Sequence, residues 1–192
     1  MNNDNYYLIM PASGIGGRMK SEIPKQYLKL GNDLTIMDQC LKTLLEVDKI
    51  TGFVIALSEK DTLFKSSIYF NHSKMIATTK GGKERFHSVL NALNSLAKIA
   101  KPNDWILVHD SVRPCVKKID IEMLINEVSN HQTGGILAAN VVDTIKQVAI
   151  DGKVSTIDRS KLFKAQTPQM FRYGVLKDAL ENAVKLNHNI TD

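Results

Sequence analysis

Cysteine is scarce in this chain. Cys40 and Cys115 are the only two among 192 residues, far apart and in no CxxC or Cys/His spacing, so neither a disulfide framework nor a zinc site is expected. Aromatic residues are few as well, at 6%, and the net charge of +5 is scattered instead of gathered into a stripe. Nucleic-acid binders need such a stripe and usually stacking rings, so that class is set aside and small anionic substrates are favoured. No apolar run approaches the ~20 residues that span a bilayer, and the polar opening Met1-Asn-Asn-Asp-Asn carries no basic leader region. A cytoplasmic protein without a membrane role is expected. Repeats, low-complexity tracts and long linkers are missing too. With 43% hydrophobic residues, positions 1–192 fit one domain with a full core.

What the chain does have is concentrated near its start. The apolar run Tyr6 to Met10 reads as a buried strand that empties into Pro11-Ala-Ser-Gly-Ile-Gly-Gly-Arg-Met, followed by Pro24-Lys-Gln. Glycines leaving a strand let backbone N–H groups approach a polyphosphate without interference from Cβ, and Arg18 and Lys25 add positive charge. Two familiar phosphate loops are excluded by spacing. A dinucleotide fingerprint beginning at Gly14 needs glycine where Met19 stands, and a Walker loop needs Gly-Lys-Ser/Thr where Met19-Lys20-Ser21 stands. The bland alternative is a tight turn with solvated basic residues.

Periodicity beyond this loop alternates. Ile36 to Val47 carries apolar residues at 37, 41, 44 and 45, a helical pattern, and Gly52 to Leu57 is a β-branched run. A weaker helix is expected over Lys60 to Phe70, a strand over Lys74 to Thr78, and a long helix from Glu84 to Ala100 stopped by Pro102. Trp105 to Val108 reads as a strand, Asp120 to Val128 as a helix and Gly135 to Val142 as a strand. The rhythm then changes to a hairpin, Thr144 to Ile150 and Lys153 to Ile157 about an Asp151-Gly152 turn, taken as an arm projecting at about 143–160. An α/β fold with a Rossmann-like, mostly parallel sheet, helices on both faces and a projecting β-hairpin arm is expected. In such sheets the loops at the carboxyl ends of strands build the site.

Asp110 stands at one such end and Arg113 follows it. A carboxylate there suits Mg²⁺ and an arginine suits phosphate, although an ordinary Asp–Arg ion pair explains the same residues. Gly81-Gly-Lys-Glu-Arg is equally double-edged, being a usual loop-to-helix junction and also a source of free N–H groups at a helix start. His87 and His109 have no triad or metal spacing around them and are expected to pack.

Taken together, the segments Pro11-Ala-Ser-Gly-Ile-Gly-Gly-Arg-Met, Pro24-Lys-Gln, Gly81-Gly-Lys-Glu-Arg-Phe-His-Ser-Val, Val108-His-Asp-Ser-Val-Arg-Pro, Asp143-Thr-Ile-Lys and Ala165-Gln-Thr-Pro-Gln-Met-Phe are informative. In order and over nearly the whole chain, they resemble the motifs of the 2-C-methyl-D-erythritol 4-phosphate cytidylyltransferases. The resemblance implies a nucleotidyltransferase acting on CTP and methylerythritol phosphate with Mg²⁺, as a homodimer clasped by the arm. It assigns Arg18 and Lys25 to stabilisation of the transition state and Arg159 to holding the acceptor. Ala12, Ser13, Gly14, Gly82 and Ser88 match positions around cytosine and ribose, Asp110 the metal and nucleotide site, and Arg113 a neighbouring position. Thr144, Arg159 and Thr167 match the group that holds the acceptor, with Thr144 and Arg159 supplied by the partner's arm. Ser13 stands where alanine is usual, and Lys83 where an acidic residue is common. The family's pattern continues past Asp192 through a last strand, a helix and a second lysine, so these 192 residues are expected to lack part of the acceptor site. Two rivals remain open at this stage: a ribitol 5-phosphate cytidylyltransferase, and a catalytically impaired CTP-binding homologue.

Overall fold

The computed structural model describes residues 4–14, 23–31, 33–187 and 190. Strand β1 (Tyr6–Ala12) is the centre of the fold, pairing in parallel with β2 (Ile50–Leu57) on one side and β4 (Trp105–Val108) on the other. Strand β3 (Met75–Lys80) adds in parallel to β2. On the far side, β8 (Phe163–Arg172) runs antiparallel both to β4 and to the edge strand β5 (Gly134–Asn140). The order is β3-β2-β1-β4-β8-β5, a sheet parallel in all but one strand, as the alternation of elements predicts.

Residues along β1 divide the core. Leu8 and Met10 point to one face, where they join Met37, Leu41 and Leu44 of α1 (Ile36–Leu45) and Leu124 and Ile125 of α3 (Lys118–Val128). Tyr7 and Ile9 point to the other, joining Phe86, Val89 and Leu93 of α2 (Arg85–Ser95) and Leu180 of α4 (Tyr173–Lys185). A strand covered on both faces has no polar side to show, which is why its sequence is apolar without alternation. Each such buried side chain contributes about 1.5–3 kcal/mol by leaving water. The stacked helices therefore hold the carboxyl ends of β1 and β4 rigidly, and the site is built there.

Strand β8 and helix α4 were not expected, and three of the expected elements take a different form. In place of a helix over Lys60 to Phe70 there is a single turn, Phe64–Ser66. Asp61 Oδ1 accepts from the N–H groups of Leu63 and Phe64, and Ser67 Oγ accepts from Tyr69 N–H while bonding Asp38, so side chains take the amides that a helix would use. Helix α2 ends at Ser95, five residues early, where Ser95 Oγ donates back to the carbonyl of Ala92 and the chain tightens into turns up to Ala100. The hairpin exists, as β6 (Ile145–Val148) and β7 (Val154–Ile157), but its loop is longer than a two-residue turn. Ala149 N–H donates to Lys153 O and Gly152 N–H to Ala149 O, with Gly152 at φ +81°, the geometry of a three-residue loop closed by a glycine bulge.

Candidate functional site

Two neighbouring cavities open beyond the carboxyl ends of β1 and β4. The first, of about 510 Å³, is lined by Ser13, Gly14, Lys25, Gly82, Arg85 and Asp110 among others. The second, of about 460 Å³, is lined by Arg113, Cys115, Gln166 and Thr167, and Val112 stands in the wall of both.

Gln26 shapes the first cavity. Its buried amide Nε2 donates to the carbonyls of Ala12 at 2.8 Å and Gly14 at 3.2 Å, pinning the two residues at which the glycine loop leaves β1. Lys25 precedes it in a short turn, Lys25–Tyr27, whose Tyr27 hydroxyl donates to Asp61 at 2.6 Å. Lys25 is thus anchored through its neighbours while its own side chain stays on the cavity wall. Opposite, the main chain at Gly81 and Gly82 passes so close to other atoms that side chains are excluded. A Cβ on Gly81 would sit 2.1 Å from Ser13 Cβ, and one on Gly82 would sit 2.2 Å from His87 Cβ. Ser88 ties this segment to the loop, for its hydroxyl accepts from Gly82 N–H at 3.0 Å and lies 3.0 Å from Ser13 Oγ. The serine found where alanine is usual therefore closes a link between β1 and α2.

Asp110 holds the floor. Arg85 Nε donates to Oδ1 at 2.8 Å and Arg113 Nε to Oδ2 at 2.9 Å, and Arg85 also reaches Gln169 Oε1 at 3.3 Å. Burial would raise the Asp110 carboxyl, but the charge and hydrogen bond of Arg85, with those of Arg113, outweigh it and hold the group below the ordinary carboxylate range. The ion pair weighed as the bland reading of Asp110 and Arg113 is real, and Arg85 makes it a triad. His109 is fully buried, bonded to Arg113 O at 3.1 Å and to Thr167 Oγ1 at 3.0 Å. Burial pushes its imidazole down to about 4, so it is neutral at physiological pH, in keeping with the packing role expected of it.

Magnesium was the expected metal, with Asp110 as its ligand. Among the described residues no group of three His, Cys, Asp or Glu side chains converges. Each Asp110 oxygen has one lone pair engaged by an arginine and one left. That donor set fits an ion arriving on a triphosphate and taking one protein oxygen, not an ion caged by the protein.

The expected site residues fall into groups. Ser13, Gly14, Lys25, Gly82 and Asp110 line the first cavity; Ala12 and Ser88 are buried just behind its wall; Arg113 and Thr167 line the second. Thr144 and Arg159 lie on the exposed arm and line neither cavity, and Arg159 Nη1 donates to Val142 O. Arg18 lies outside the described residues.

The chain as a whole has counterparts among known proteins. A family model described as 2-C-methyl-D-erythritol 4-phosphate cytidylyltransferase matches residues 6–192. The chain belongs to that family. The 2-C-methyl-D-erythritol 4-phosphate cytidylyltransferase of Vesicomyosocius okutanii subsp. Calyptogena okutanii (strain HA) is 56% identical to it, over 100% of this chain and 83% of the relative. That of Vibrio vulnificus (strain YJ016) is 44% identical over 96% of this chain and 77% of the relative. The crystal structure of the Francisella tularensis 2-C-methyl-D-erythritol 4-phosphate cytidylyltransferase superposes with a TM-score of 0.81 at 37% identity, covering 98% of this chain and 83% of that one. The ribitol 5-phosphate reading is not favoured by these likenesses.

Around these cavities, Gln26, Arg85 and Gln169 went unassigned by the sequence reading. Arg85 left a signal. It opens a helix, where a cation opposes the helix dipole and needs a carboxylate nearby, and Asp110 is that carboxylate. Gln26 and Gln169 stand inside the motifs Pro24-Lys-Gln and Ala165-Gln-Thr-Pro-Gln-Met-Phe, but their roles could not be read there, because their partners are backbone or distant in sequence.

Proposed function

We propose that the protein transfers a cytidylyl group from CTP to 2-C-methyl-D-erythritol 4-phosphate, releasing pyrophosphate and forming 4-diphosphocytidyl-2-C-methyl-D-erythritol, a step of non-mevalonate isoprenoid precursor synthesis. The observation that carries this reading is the first cavity, where a glycine-lined bend, Lys25 and the Asp110 triad surround one space at the carboxyl ends of parallel strands. Membership of the family supplies the substrates. No described helix is long and apolar enough to cross a membrane, and the thiols Cys40 and Cys115 are unpaired, which suits a cytoplasmic setting.

In the reaction an oxygen of the acceptor phosphate forms a bond to the α-phosphorus of CTP, and the bond from that phosphorus to the bridging oxygen breaks, its electron pair leaving with pyrophosphate. The nucleophile is already an anion, so the work of the protein is alignment and neutralisation of charge. Lys25, with Arg18, is assigned to the α-phosphoryl oxygens, and losing one such donor typically costs ~10²–10³ in rate. Ala12, Ser13, Gly14, Gly82 and Ser88 are assigned to the nucleoside, with the Ala12 carbonyl bonded to the Gln26 amide. Arg113 and Thr167 are assigned to the acceptor in the second cavity. Magnesium, held through Asp110 and the phosphates, would add positive charge at the triphosphate.

The arm offers exposed Val148, Ile150 and Val154. A two-stranded ribbon is marginal alone, so we assign it to a homodimer in which Thr144 and Arg159 reach the partner's second cavity. The deciding experiment is pyrophosphate release from CTP and the acceptor, with and without Mg²⁺, for the unaltered protein and for Arg18→Ala and Lys25→Ala. Release that is Mg²⁺-dependent and falls at least ~10²-fold in both variants supports the reading, while preference for ribitol 5-phosphate or undiminished release sinks it.

A further inference from the structure

Lys25 is exposed on the wall of the first cavity, and among the described residues its side chain makes no hydrogen bond or ion pair. An ammonium on four rotatable bonds, held by nothing at its tip, meets a developing charge only as reliably as its main chain is placed. What places that main chain therefore bears on the rate. Pro24, at φ −56° and ψ 140°, sets the entry to the Lys25–Tyr27 turn, and its carbonyl accepts from Tyr27 N–H at 2.9 Å to close it. Gln26 ties the middle of the turn to β1 through the carbonyls of Ala12 and Gly14.

Tyr27 supplies the remaining tie, and it leads away from the sheet strand that Gln26 grips. The ring is buried in the core cluster that also holds Met37 and Leu41, and the hydroxyl donates to Asp61 Oδ2 at 2.6 Å across 34 positions of sequence. Burial first, and then the hydrogen bond to Asp61, push this phenol up, so its hydrogen stays in place to be donated. Asp61 is itself a fixed post. Its other oxygen, Oδ1, accepts from the N–H groups of Leu63 and Phe64, its own N–H donates to Ser58 O just beyond β2, and Phe64 is 1% exposed. The tie thus fastens the turn that carries Lys25 to the loop leaving the neighbouring strand. Neither Tyr27 nor Asp61 lines the first or the second cavity, so neither touches what binds there.

We propose that Tyr27 is a positioning residue for the transfer: its bond to Asp61 holds the Lys25–Tyr27 turn where the Lys25 ammonium meets the α-phosphoryl oxygens in the transition state. The proposal deepens the functional reading above and rests on the assignment of Lys25 to those oxygens. The effect is one of place and not of charge, because the tie works through the main chain of the turn. It belongs to the rate more than to binding, since charge on the α-phosphoryl oxygens grows only as the new bond forms.

Steady-state kinetics tests it, run well below the lowest Tm of the variants so that unfolding is not read as lost rate. Tyr27→Phe removes only the hydroxyl and should lower kcat about five- to thirtyfold while KM for CTP stays within about twofold. In a Lys25→Ala background the same change should alter kcat by less than about twofold, because no ammonium is left to place. Asp61→Asn keeps Oδ1 for the two amides and offers Nδ2 to the phenol oxygen, so the tie survives with its polarity reversed, and kcat should stay within about threefold of the unaltered protein. Full kcat in Tyr27→Phe, a loss of equal size with and without Lys25, or an Asp61→Asn protein as slow as Tyr27→Phe overturns the proposal. The reading beneath it is judged separately. Undiminished turnover in Lys25→Ala ends the assignment of Lys25 and this proposal with it, whereas a slow Lys25→Ala beside an undiminished Tyr27→Phe ends this proposal alone.

Discussion

Arg85 and Asp110 meet across the floor of the first cavity, guanidinium Nε to carboxylate Oδ1 at 2.8 Å, although 25 residues separate them. The same guanidinium reaches Gln169 on β8, so one side chain fastens α2, the loop after β4 and the antiparallel strand. Arg85→Ala should lower stability by about 1–2 kcal/mol, allowing for the partial exposure of the pair, and Tm by about 2–4 °C per kcal/mol. Arg85→Lys should not restore it, since an ammonium cannot serve two partners along a fixed plane. Thermal unfolding and CTP titration measure both effects; an Arg85→Lys protein with unaltered Tm and affinity would show that the triad is incidental.

Gly81 and Gly14 should respond oppositely to the same substitution. A methyl on Gly81 would be forced to within 2.1 Å of Ser13 Cβ and 3.3 Å of the Leu57 carbonyl, whereas one on Gly14 meets nothing within 4 Å. Gly81→Ala is expected to destabilise the protein by about 1–3 kcal/mol through overpacking. Gly14→Ala should leave Tm within the range of a neutral surface change, about ±0.5 kcal/mol, yet raise KM for CTP if the nucleotide crosses that open space. Equal effects of both on Tm would show that Gly14 is as crowded as Gly81, and an unchanged KM for CTP in Gly14→Ala would show that the nucleotide does not cross that space.

The two thiols should differ sharply in reactivity. Cys40 is fully buried with its S–H directed at the Ser111 carbonyl, and burial pushes its thiol up to about 12. Raising the pKa of an acid favours its neutral form, so at pH 8 there is almost no thiolate at Cys40 to attack an alkylating agent. Exposed Cys115 lines the second cavity. Iodoacetamide at pH 8 should label Cys115 alone in the folded protein and both residues in urea, and acceptor should slow the labelling of Cys115. Mass spectrometry of the digested protein reads the outcome; native labelling of Cys40 would contradict its burial.

The parallel core was legible because its signal is local. Tyr6 to Met10, Gly52 to Leu57 and Trp105 to Val108 are apolar runs broken by turn residues, and a strand buried on both faces needs nothing else. β8 was not read as a strand, since Pro168 and the polar residues Gln166, Thr167 and Gln169 argue against one; in the fold those polar groups are what the neighbouring cavities and Arg85 require. The Lys60 to Phe70 helix failed for the converse reason, a helical period defeated by Asp61 and Ser67 bonding the local backbone. Motif spacing located Lys25, Gly82 and Asp110 on one cavity, but the contacts that fix them run through Gln26 and Arg85, whose partners only the folded chain brings near.

Subunit mixing offers the most direct test of the arm. Arg159 and Lys25 belong to different parts of the fold, one on the exposed ribbon and the other on the first cavity, and Arg159 lines neither cavity of its own chain. If each site combines the core of one protomer with the arm of its partner, Lys25→Ala and Arg159→Ala proteins are each inactive as homodimers. A heterodimer of the two holds one site with both defects and one with neither. Equimolar co-refolding, with half of the dimers mixed, should then recover about a quarter of the unaltered activity. Sites completed within one chain predict no recovery at any ratio, because every site would carry one of the two defects. Charging the arm with Val148→Asp provides the matching assembly readout: the variant should shift toward monomer in sedimentation and lose acceptor turnover together, and a monomer that keeps full turnover would exclude a shared site.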